Sequence, residues 1–496
     1  MFLPERSSFP PKNWNFWYDK YAEYAAWYSG DIEELLKYYA NKLDNELDAE
    51  SRFWIRIEKE DRANVCHLPV AGDIAGTSAD LLFSESPRLK YEKENDSGKV
   101  ITEFIEENNL NSVLLESAEL TAALSGCFLK LDIQPELSEL AIVSIITPTQ
   151  AFPSFFRGRL WEILFYREVK ENDSRSCVYR LFENRKRAGN DLIIEYKLMK
   201  GSDDKIGIEV DVNSIEETAT LNLNSLKMSN INGLGCIYIP NKKPNKLAPG
   251  SYLGNNDWSQ CIPLMDSLDF SYTSWVRDIE LGMGQVFIDE ELTTREVDTS
   301  LGGTETVKLN RFSKFQRCFL NINLSNAKMG GDNVKPIEPV QFEMRVEEHL
   351  KTCEYWFNQI VVQSGYSPAT FGINADGRAE SGTALRIRER KSFLTREKKS
   401  RYWQVAIKEL INQAQRMHIA TTAKNYTPET VSVELEDSIV TDSREQSETI
   451  RNLEQARAIS TLMKVTTQHP DWTETEIKEE VDRINKESGI SSEILV

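Results

Sequence analysis

The clearest pattern in this chain is a pair of helical repeats on either side of a turn-rich break. After Pro339, apolar residues recur at steps of four and three, at Phe342, Val346, Leu350, Cys353, Phe357 and Ile360. The break at 365–382 is rich in residues that favour turns: Pro368, Gly372, Asn374, Asp376 and Gly377. The second repeat predicts a helix over 381–418, roughly 55 Å long at about 1.5 Å per residue.

This second helix begins with a basic stretch and ends with an apolar stripe. Its cations are Arg386, Arg388, Arg390, Lys391, Arg396, Lys398, Lys399 and Arg401. The stripe that follows is Trp403, Ile407, Leu410, Ala414 and Met417. The basic stretch could neutralise DNA phosphates, which would make binding salt-dependent, or it could pair with carboxylates of the same or another subunit. We favour pairing because acidic residues outnumber basic ones in the chain.

The first half of the chain changes from helical to strand-like patterning near residue 125. Residues 14–65 are helical and rich in aromatic side chains, which we interpret as core packing. Several segments either alternate apolar and polar residues or consist mainly of apolar ones, and together they predict an antiparallel sheet region. These segments are 127–133, 141–147, 160–169, 177–182, 192–198 and 236–240. The loop at 240–258 is about twenty residues long, enough to be functional or to form an interface.

A further helix is predicted over 263–281, and short strand-like segments fill 285–339. Because this insert separates two helices of similar length, it predicts a small separate domain that caps a helical hairpin. Residues 430–435 alternate like a strand, and the tail from 441 to 496 is helical and acidic.

Composition excludes several classes of protein. The chain is 40% hydrophobic and 28% charged, with a net charge of -19, which argues against a generic nucleic-acid binder. No apolar run approaches the roughly 20 residues of a membrane helix, and the N-terminus lacks the pattern of a signal peptide. Seven scattered cysteines without a Cys-x-x-Cys pair fit reduced thiols of a cytoplasmic product, so neither a structural metal nor a cofactor is expected.

The motifs of the common catalytic sites are missing from the sequence. It has no phosphate-binding loop, no dinucleotide fingerprint, no nucleophile elbow and no His-Glu-x-x-His zinc motif. Asp289, Glu290 and Glu291 could be proposed as metal ligands, but consecutive residues do not converge easily on one ion. We interpret them as a solvated acidic turn and predict that the protein is not an enzyme.

Several stretches, in their order along the chain, resemble one known family. They are AAWYSGDIEELLKYY, HLPVAGDIAGTSADLLFSESPRL, SGCFLKLDI, the loop and helix PNKKPNKLAPGSYLGNNDWSQCIPLMDSLDFSYTSWVRDIELG, PVQFEMRVEEHLKTCEYW and FGINADGRAESGTALRIRERKSFLTREKKSRYW. Together they span roughly residues 14–420. On the order of these stretches, the chain resembles the portal (head–tail connector) proteins of tailed bacteriophages.

The resemblance implies an α+β portal-like fold with a defined order of parts. Residues 1–262 would form the wing, joined by the strand at 430–435, and the remaining parts follow: stem helix 1 (263–285), clip (286–339), stem helix 2 (340–364), tunnel loop (365–380), spine helix of the wing (381–418) and crown-like tail (436–496).

The resemblance also implies where function lies. The tunnel loop, with Phe371, Gly372, Asn374, Asp376 and Arg378, would form the narrowest point of a DNA channel. The residues that we expect at the stem lumen are Arg345, Glu348 and Lys351. The residues that we expect to dock the motor and the adaptor on the clip are Asp289, Glu290, Glu291 and Arg295.

The implied assembly is a ring of about twelve copies at one capsid vertex of the virion, made in the bacterial cytoplasm. Its expected partners are double-stranded DNA, the large terminase subunit, major capsid and scaffolding proteins, and a head–tail adaptor, with no membrane. Two alternatives stay open. One is another minor capsid or connector protein of the particle, and the other is a metal-dependent DNA-processing enzyme.

Overall fold

The computed structural model of the chain describes residues 2–40, 53–55, 57, 64–169, 177–219, 225–282, 285–289, 294–298, 304–308, 319–322, 337–340, 343–373, 382–422, 424–435, 443–469, 472 and 474–487. Over these ranges helices combine with mostly antiparallel sheets, which confirms the mixed α+β character predicted from the sequence. The helices, in chain order, are α1 (Asn15–Ser29), α2 (Ile32–Ala40), α3 (Val70–Phe83), α4 (Asp96–Glu107), α5 (Leu110–Leu124), α6 (Glu216–Ala219), α7 (Ile262–Gly282), α8 (Val346–Ser364), α9 (Gly382–Thr422), α10 (Ser443–Gln455), α11 (Thr461–Gln468) and α12 (Glu474–Glu487).

The strands are β1 (Arg88–Lys90), β2 (Gly126–Asp132), β3 (Ile142–Ile146), β4 (Ala151–Phe156), β5 (Arg159–Val169), β6 (Val178–Ala188), β7 (Asp191–Ser202), β8 (Lys205–Val210), β9 (Leu226–Met228), β10 (Cys236–Pro240), β11 (Gln285–Asp289), β12 (Thr294–Asp298), β13 (Thr304–Lys308), β14 (Phe319–Ile322), β15 (Ile337–Val340) and β16 (Ser432–Glu434).

These strands form several separate sheets. The largest follows the order β4-β5-β6-β7-β8, with β9 also paired to β7, and a three-stranded sheet follows the order β10-β2-β3. The pattern between residues 125 and 240 therefore predicted strands correctly but did not show that they divide between two sheets. Near the C-terminus, β16 pairs antiparallel with β1, so that Arg88 lies opposite Glu434.

The insert between α7 and α8 has its own small sheets. Strand β11 pairs with β14 in parallel and with β15 antiparallel, while β12 and β13 form a two-stranded ribbon. Strand β15 therefore lies almost wholly in the segment predicted to be strand-like, and only its last residue, Val340, had been assigned to the following helix.

Two large apolar clusters hold the rest of the chain together. The first packs α4, α5 and the second half of α9 against the three-stranded sheet, and its bulky members include Phe104, Phe128 and Trp403. The second joins α1, α2 and α3 to the hairpin of α7 and α8 around Trp27 and Trp258. Since Tyr21, Tyr24 and Trp27 are all buried, the N-terminal aromatic residues serve as core, as the sequence indicated.

The start of α8 is the main correction to the predicted boundaries. The proposed stem helix 2 at 340–364 is too long at its N-terminal end, because residues 343–345 are not helical and α8 begins at Val346. Glu347 and Glu348 occupy the first turn, where negative charge is favourable to the helix dipole. By contrast, α7 and α9 each begin within one residue of the predicted start, and α9 continues four residues past residue 418.

Candidate functional site

Helices α7 and α8 lie antiparallel and are joined at both ends by polar contacts. Near the insert, Arg345 donates to the carboxylate of Asp278 at 2.7 Å, and His349 Nε2 lies 2.8 Å from the same oxygen. These hydrogen bonds from His349 and Arg345 lower the pKa of Asp278. At the opposite end, the sulfur of Cys261 lies 3.5 Å from the hydroxyl oxygen of Ser364. The two helices therefore form a braced hairpin.

The apolar face of this hairpin changes from buried to exposed along its length. At the end near Cys261, it is buried at Leu268 on α7 and at Ile360 on α8. Toward the insert, large apolar side chains are exposed on both helices and just before α8: Ile279, Leu281, Met344, Val346 and Leu350. We call these five residues the exposed stripe, and no residue in the described part of the chain buries them.

At the base of the hairpin, the buried carboxylate of Asp257 binds two lysines and a tyrosine from three parts of the chain. Asp257 accepts from Lys399 of α9 at 2.6 Å and from the Tyr366 hydroxyl at 2.7 Å, and Lys242 lies 2.9 Å from its other oxygen. Lys399 also donates to Ser78 of α3 at 2.6 Å. These five residues, the base network, connect α3, the loop at 240–258, the end of α8 and α9.

Electrostatics keep the base network charged near neutral pH. Burial alone would raise the pKa of Asp257. The positive charges of Lys242 and Lys399 outweigh this effect of burial and hold the pKa of Asp257 well below its usual range. Burial lowers the pKa of Lys399 to about 8, and the attraction of Asp257 limits the fall. An ionised, fully hydrogen-bonded pair therefore fixes the junction, since a buried charge is tolerated only when it is paired.

The first residues of the proposed tunnel loop form an ordered turn that packs against α9. Gly365 ends α8 with φ +105°, and Pro368–Phe371 form a 3-10 turn. The backbone N–H of Ser367 donates to the hydroxyl oxygen of Ser392 at 2.8 Å, and the ring of Phe371 packs edge-on against Phe357. Gly372 follows this turn with φ +75°, in open space. Asn374, Asp376 and Arg378 lie outside the described residues.

The proposed lumen residues, which lie just before and within the start of α8, are exposed, and both cations among them lie beside carboxylates. Arg345 is bonded to Asp278, and Lys351 lies 3.1 Å from Glu347 one turn earlier on the same helix. Glu348 is exposed in the first turn. The structure therefore brings two of the three beside opposite charges.

The proposed docking residues of the clip are described only in part. Asp289 ends β11 opposite Ile322, and Arg295 lies in β12 opposite Val307. Glu290 and Glu291 lie outside the described residues.

The basic stretch of α9 makes contacts within the chain. Lys391 donates to the carbonyl oxygen of Val362, Arg396 to that of Leu81, and Lys399 belongs to the base network. These three cations hold α9 to α8 and α3. Lys399 does so through a carboxylate, as the pairing interpretation expects, whereas Lys391 and Arg396 bind backbone carbonyl oxygens.

The base network is the arrangement that the sequence did not reveal. A signal was present, because Arg396 and Lys399 lie seven and four residues before Trp403, in register with the apolar stripe of α9. A cation on the buried face of a helix requires a buried partner. The sequence offered no means of choosing Asp257 as that partner.

Neither a metal centre nor a membrane span is found in the described part of the chain. Over these ranges, no three His, Cys, Asp or Glu residues converge as metal ligands. Among the described helices, none is long and apolar enough to cross a bilayer.

Comparison with known proteins gives one clear match. The profile of the family "Phage portal protein, SPP1 Gp6-like" matches residues 28–493, nearly the whole chain. Among curated individual proteins, no significant match is found. Proteins of this family are structural components of the capsid rather than enzymes. The braced hairpin around a small strand insert, the long helix that follows it and this match over nearly the full length together show that the chain belongs to the phage portal protein family.

Proposed function

We propose that about twelve copies of this chain close into a ring at one capsid vertex and that duplex DNA passes through its axial channel during packaging and ejection. The family implies an oligomeric ring that works with capsid, DNA and terminase. In our proposal the large terminase subunit docks on the ring during packaging and a head–tail adaptor replaces it afterwards. Major capsid and scaffolding proteins surround the wing, and the subunits are made in the host cytoplasm.

The exposed stripe is the observation that supports the ring most directly. Its five large apolar side chains are all exposed at the same end of the hairpin, and leaving them in water is unfavourable. A neighbouring copy of the hairpin would cover them and continue the apolar contact that each chain begins at Leu268 and Ile360. We propose that this contact joins different faces of the two copies, an arrangement that can close into a ring when it is repeated around a rotation axis.

Charge supports a channel that lets DNA slide. A net charge of -19 on each subunit repels a phosphate backbone, and pairing of Arg345 and Lys351 with carboxylates weakens their attraction for it. We propose that these two residues and Glu348 face the lumen, and that residues 365–380 project furthest inward. On this proposal, Asn374, Asp376 and Arg378 approach the DNA, while Phe371 and Gly372 form the anchored side of the loop.

We also propose that the clip, residues 286–339, docks the motor and then the adaptor. The acidic group Asp289, Glu290 and Glu291, with Arg295 nearby in sequence, would supply charged contacts at the rim of that interface. Rim charges of this kind mainly set association rates and their dependence on salt.

Images of the purified protein test the ring. Negative-stain micrographs should show rings of about twelve subunits with an axial hole, and Leu350→Glu should abolish them because it places a carboxylate in the interface. Thr352→Glu adds the same charge on another face of α8 and should keep the ring. A wild-type protein that stays monomeric, or rings that survive Leu350→Glu unchanged, would contradict the proposal.

A further inference from the structure

An aromatic and basic projection lies on the wing, outside the proposed channel. The turn between β4 and β5 is flanked by Phe156 and Trp161, whose exposed fractions are 60% and 50% and whose ring centroids are 6.1 Å apart. Beside this turn, the loop at 240–258 exposes Tyr252 and Leu247. We call residues 155–161 the hairpin tip.

The hairpin tip and the loop are fixed to each other. The rings of Phe155 and Tyr252 have centroids 5.6 Å apart, and a Cβ atom at Gly158 would contact the Tyr252 ring at 3.4 Å. The loop itself is held from inside by the buried amide of Asn245, which donates to the carbonyl oxygen of Gly254 at 2.6 Å and accepts from the backbone of Leu247 at 3.0 Å. The exposed side chains are therefore presented in a preformed arrangement, which lowers the entropy lost on binding.

The turn residue itself is an unusual choice. Phe156 pairs with Arg159, so Arg157 and Gly158 form a two-residue turn in which both φ angles are positive, +49° and +82°. Such turns favour Asn, Asp or Gly, and a longer side chain is strained there. The guanidinium of Arg157 lies 5.4 Å from the centroid of the Phe156 ring. Because an arginine is strained in this conformation, we infer that its side chain takes part in a contact.

Local charge at this place is opposite to that of the whole chain. Residues 151–161 and 241–256 contain five Lys and Arg residues and no Asp or Glu, whereas the chain has 78 acidic residues and a net charge of -19. The exposed cations of this group are Arg157, Arg159, Lys243 and Lys246.

We propose that the hairpin tip and the adjoining loop bind an acidic protein segment that carries an aromatic or aliphatic anchor residue. Aromatic residues and arginine are the side chains that most often dominate protein interfaces. Duplex DNA fits the surface poorly, because its stacked bases offer nothing to Phe156 and Trp161. The contact would use side chains rather than strand addition, since β4 is an edge strand and Pro153 within it lacks the N–H that an added strand needs. The proposal goes beyond the channel and does not depend on it.

Peptide binding to the intact protein tests this surface. The probe is a fluorescein-labelled 12-residue peptide of Glu and Asp with one Trp and one Leu, compared with a peptide in which Ser replaces every acidic residue. We expect the acidic peptide to bind more tightly and its affinity to fall at least tenfold in Trp161→Ala and in Arg157→Asn. Arg157→Asn should keep the turn, because Asn tolerates positive φ. Lys99→Asn, which removes an exposed cation on α4, should leave the affinity unchanged.

Three results would overturn the proposal. Equal affinity of the acidic peptide for the wild-type protein and both variants would show that the surface is not its site. Tighter binding of a single-stranded oligonucleotide, with the same loss in the two variants, would reassign the surface to nucleic acid. A smaller assembly in Trp161→Ala, measured by mass photometry, would make the surface a contact between copies of this chain.

Discussion

The ammonium nitrogen of Lys399 lies 2.6 Å from a carboxylate oxygen of Asp257, although the two residues are 142 positions apart and both side chains are buried. This contact fixes α9 to the loop that precedes α7. It therefore makes the position of the hairpin depend on the position of the long helix.

Removal of Asp257 should destabilise the protein more than removal of Lys399. In Asp257→Asn, both Lys399 and Lys242 lose their buried counter-charge, so we expect a loss of about 3–5 kcal/mol in the free energy of unfolding. In Lys399→Met, Asp257 keeps Lys242 and Tyr366, and we expect a smaller loss. Urea unfolding followed by tryptophan fluorescence measures both.

The double variant Asp257→Asn/Lys399→Met is the control for this pair. Its loss should be smaller than the sum of the two single losses by roughly 0.5–3 kcal/mol, because each single change leaves a partner uncompensated. Strictly additive losses would show that the contact does not couple the two residues.

A second prediction concerns the pH dependence of stability through His418. This residue of α9 is buried, with Nδ1 2.9 Å from the hydroxyl of Tyr426, and burial together with Lys424 lowers its pKa. The unfolded state, with a histidine pKa near 6.5, then binds the proton more readily than the folded state. The stability that this residue contributes is therefore complete above about pH 6.5 and is lost as the pH falls below it.

Melting temperatures between pH 5 and 7.5 measure this effect in the wild-type protein and in His418→Gln. The glutamine keeps a polar partner for Tyr426 but does not titrate, so the advantage of the wild type should shrink as the pH falls. An advantage that is constant over this range would exclude His418 as the titrating group.

Two glycines with positive φ in the six-stranded sheet should respond differently to alanine. A Cβ atom at Gly207, φ +81°, would lie 1.8 Å from the carbonyl oxygen of Lys200, whereas at Gly189, φ +68°, it would meet nothing within 4 Å. Gly189→Ala should cost about 1–2 kcal/mol from backbone strain alone. Gly207→Ala should cost more, on the order of 3 kcal/mol or above, because β7 and β8 must also separate.

The matched pair makes this prediction sharp. Both variants remove the same backbone freedom, so a difference between their urea midpoints reports the steric clash alone. Equal midpoints would mean that the approach of β8 to β7 at Gly207 is not as close as the structure has it.

We expect that the tunnel loop can be shortened while the packing of Phe371 is kept. Phe371 packs against Phe357 and Tyr366, so a deletion confined to 374–378 should leave the melting temperature and the ring intact. It should nevertheless reduce the DNA retained in phage heads, if these residues approach the DNA as we propose. Phe371→Ala, by contrast, should lower the melting temperature. Heads that fill normally with the shortened loop would refute the assignment of residues 374–378.

The sequence predicted best those elements whose periodicity is long and strong. Helices α7 and α9 extend over many turns, so each apolar residue reinforces the same interpretation. Short polar strands gave no such signal: β12 reads TREVD and β9 only LKM. The predicted helix began at residue 340, before the true start of α8, because Phe342 continues the apolar spacing of α8 backwards.

The candidate site was predictable where it depends on local order along the chain, and not where it depends on distant pairing. Pro368 and Gly372 predicted a turn after α8, and the structure has an ordered turn there. The partnership of Asp257 with Lys399 follows no spacing rule, since it arises only when separate layers pack. The same holds for the hairpin tip, where Tyr252 meets Phe155 across nearly a hundred residues of chain.

Helix α9 has a mechanical consequence that none of its individual contacts shows. It is 41 residues long, about 60 Å, and it touches the turn after α8 with its first half and the three-stranded sheet with its second. A continuous helix resists bending. A force that moves the turn after α8 would therefore also move the three-stranded sheet at the other end of α9. In the ring that we propose, tension on the tunnel loop would therefore reach the wing through α9.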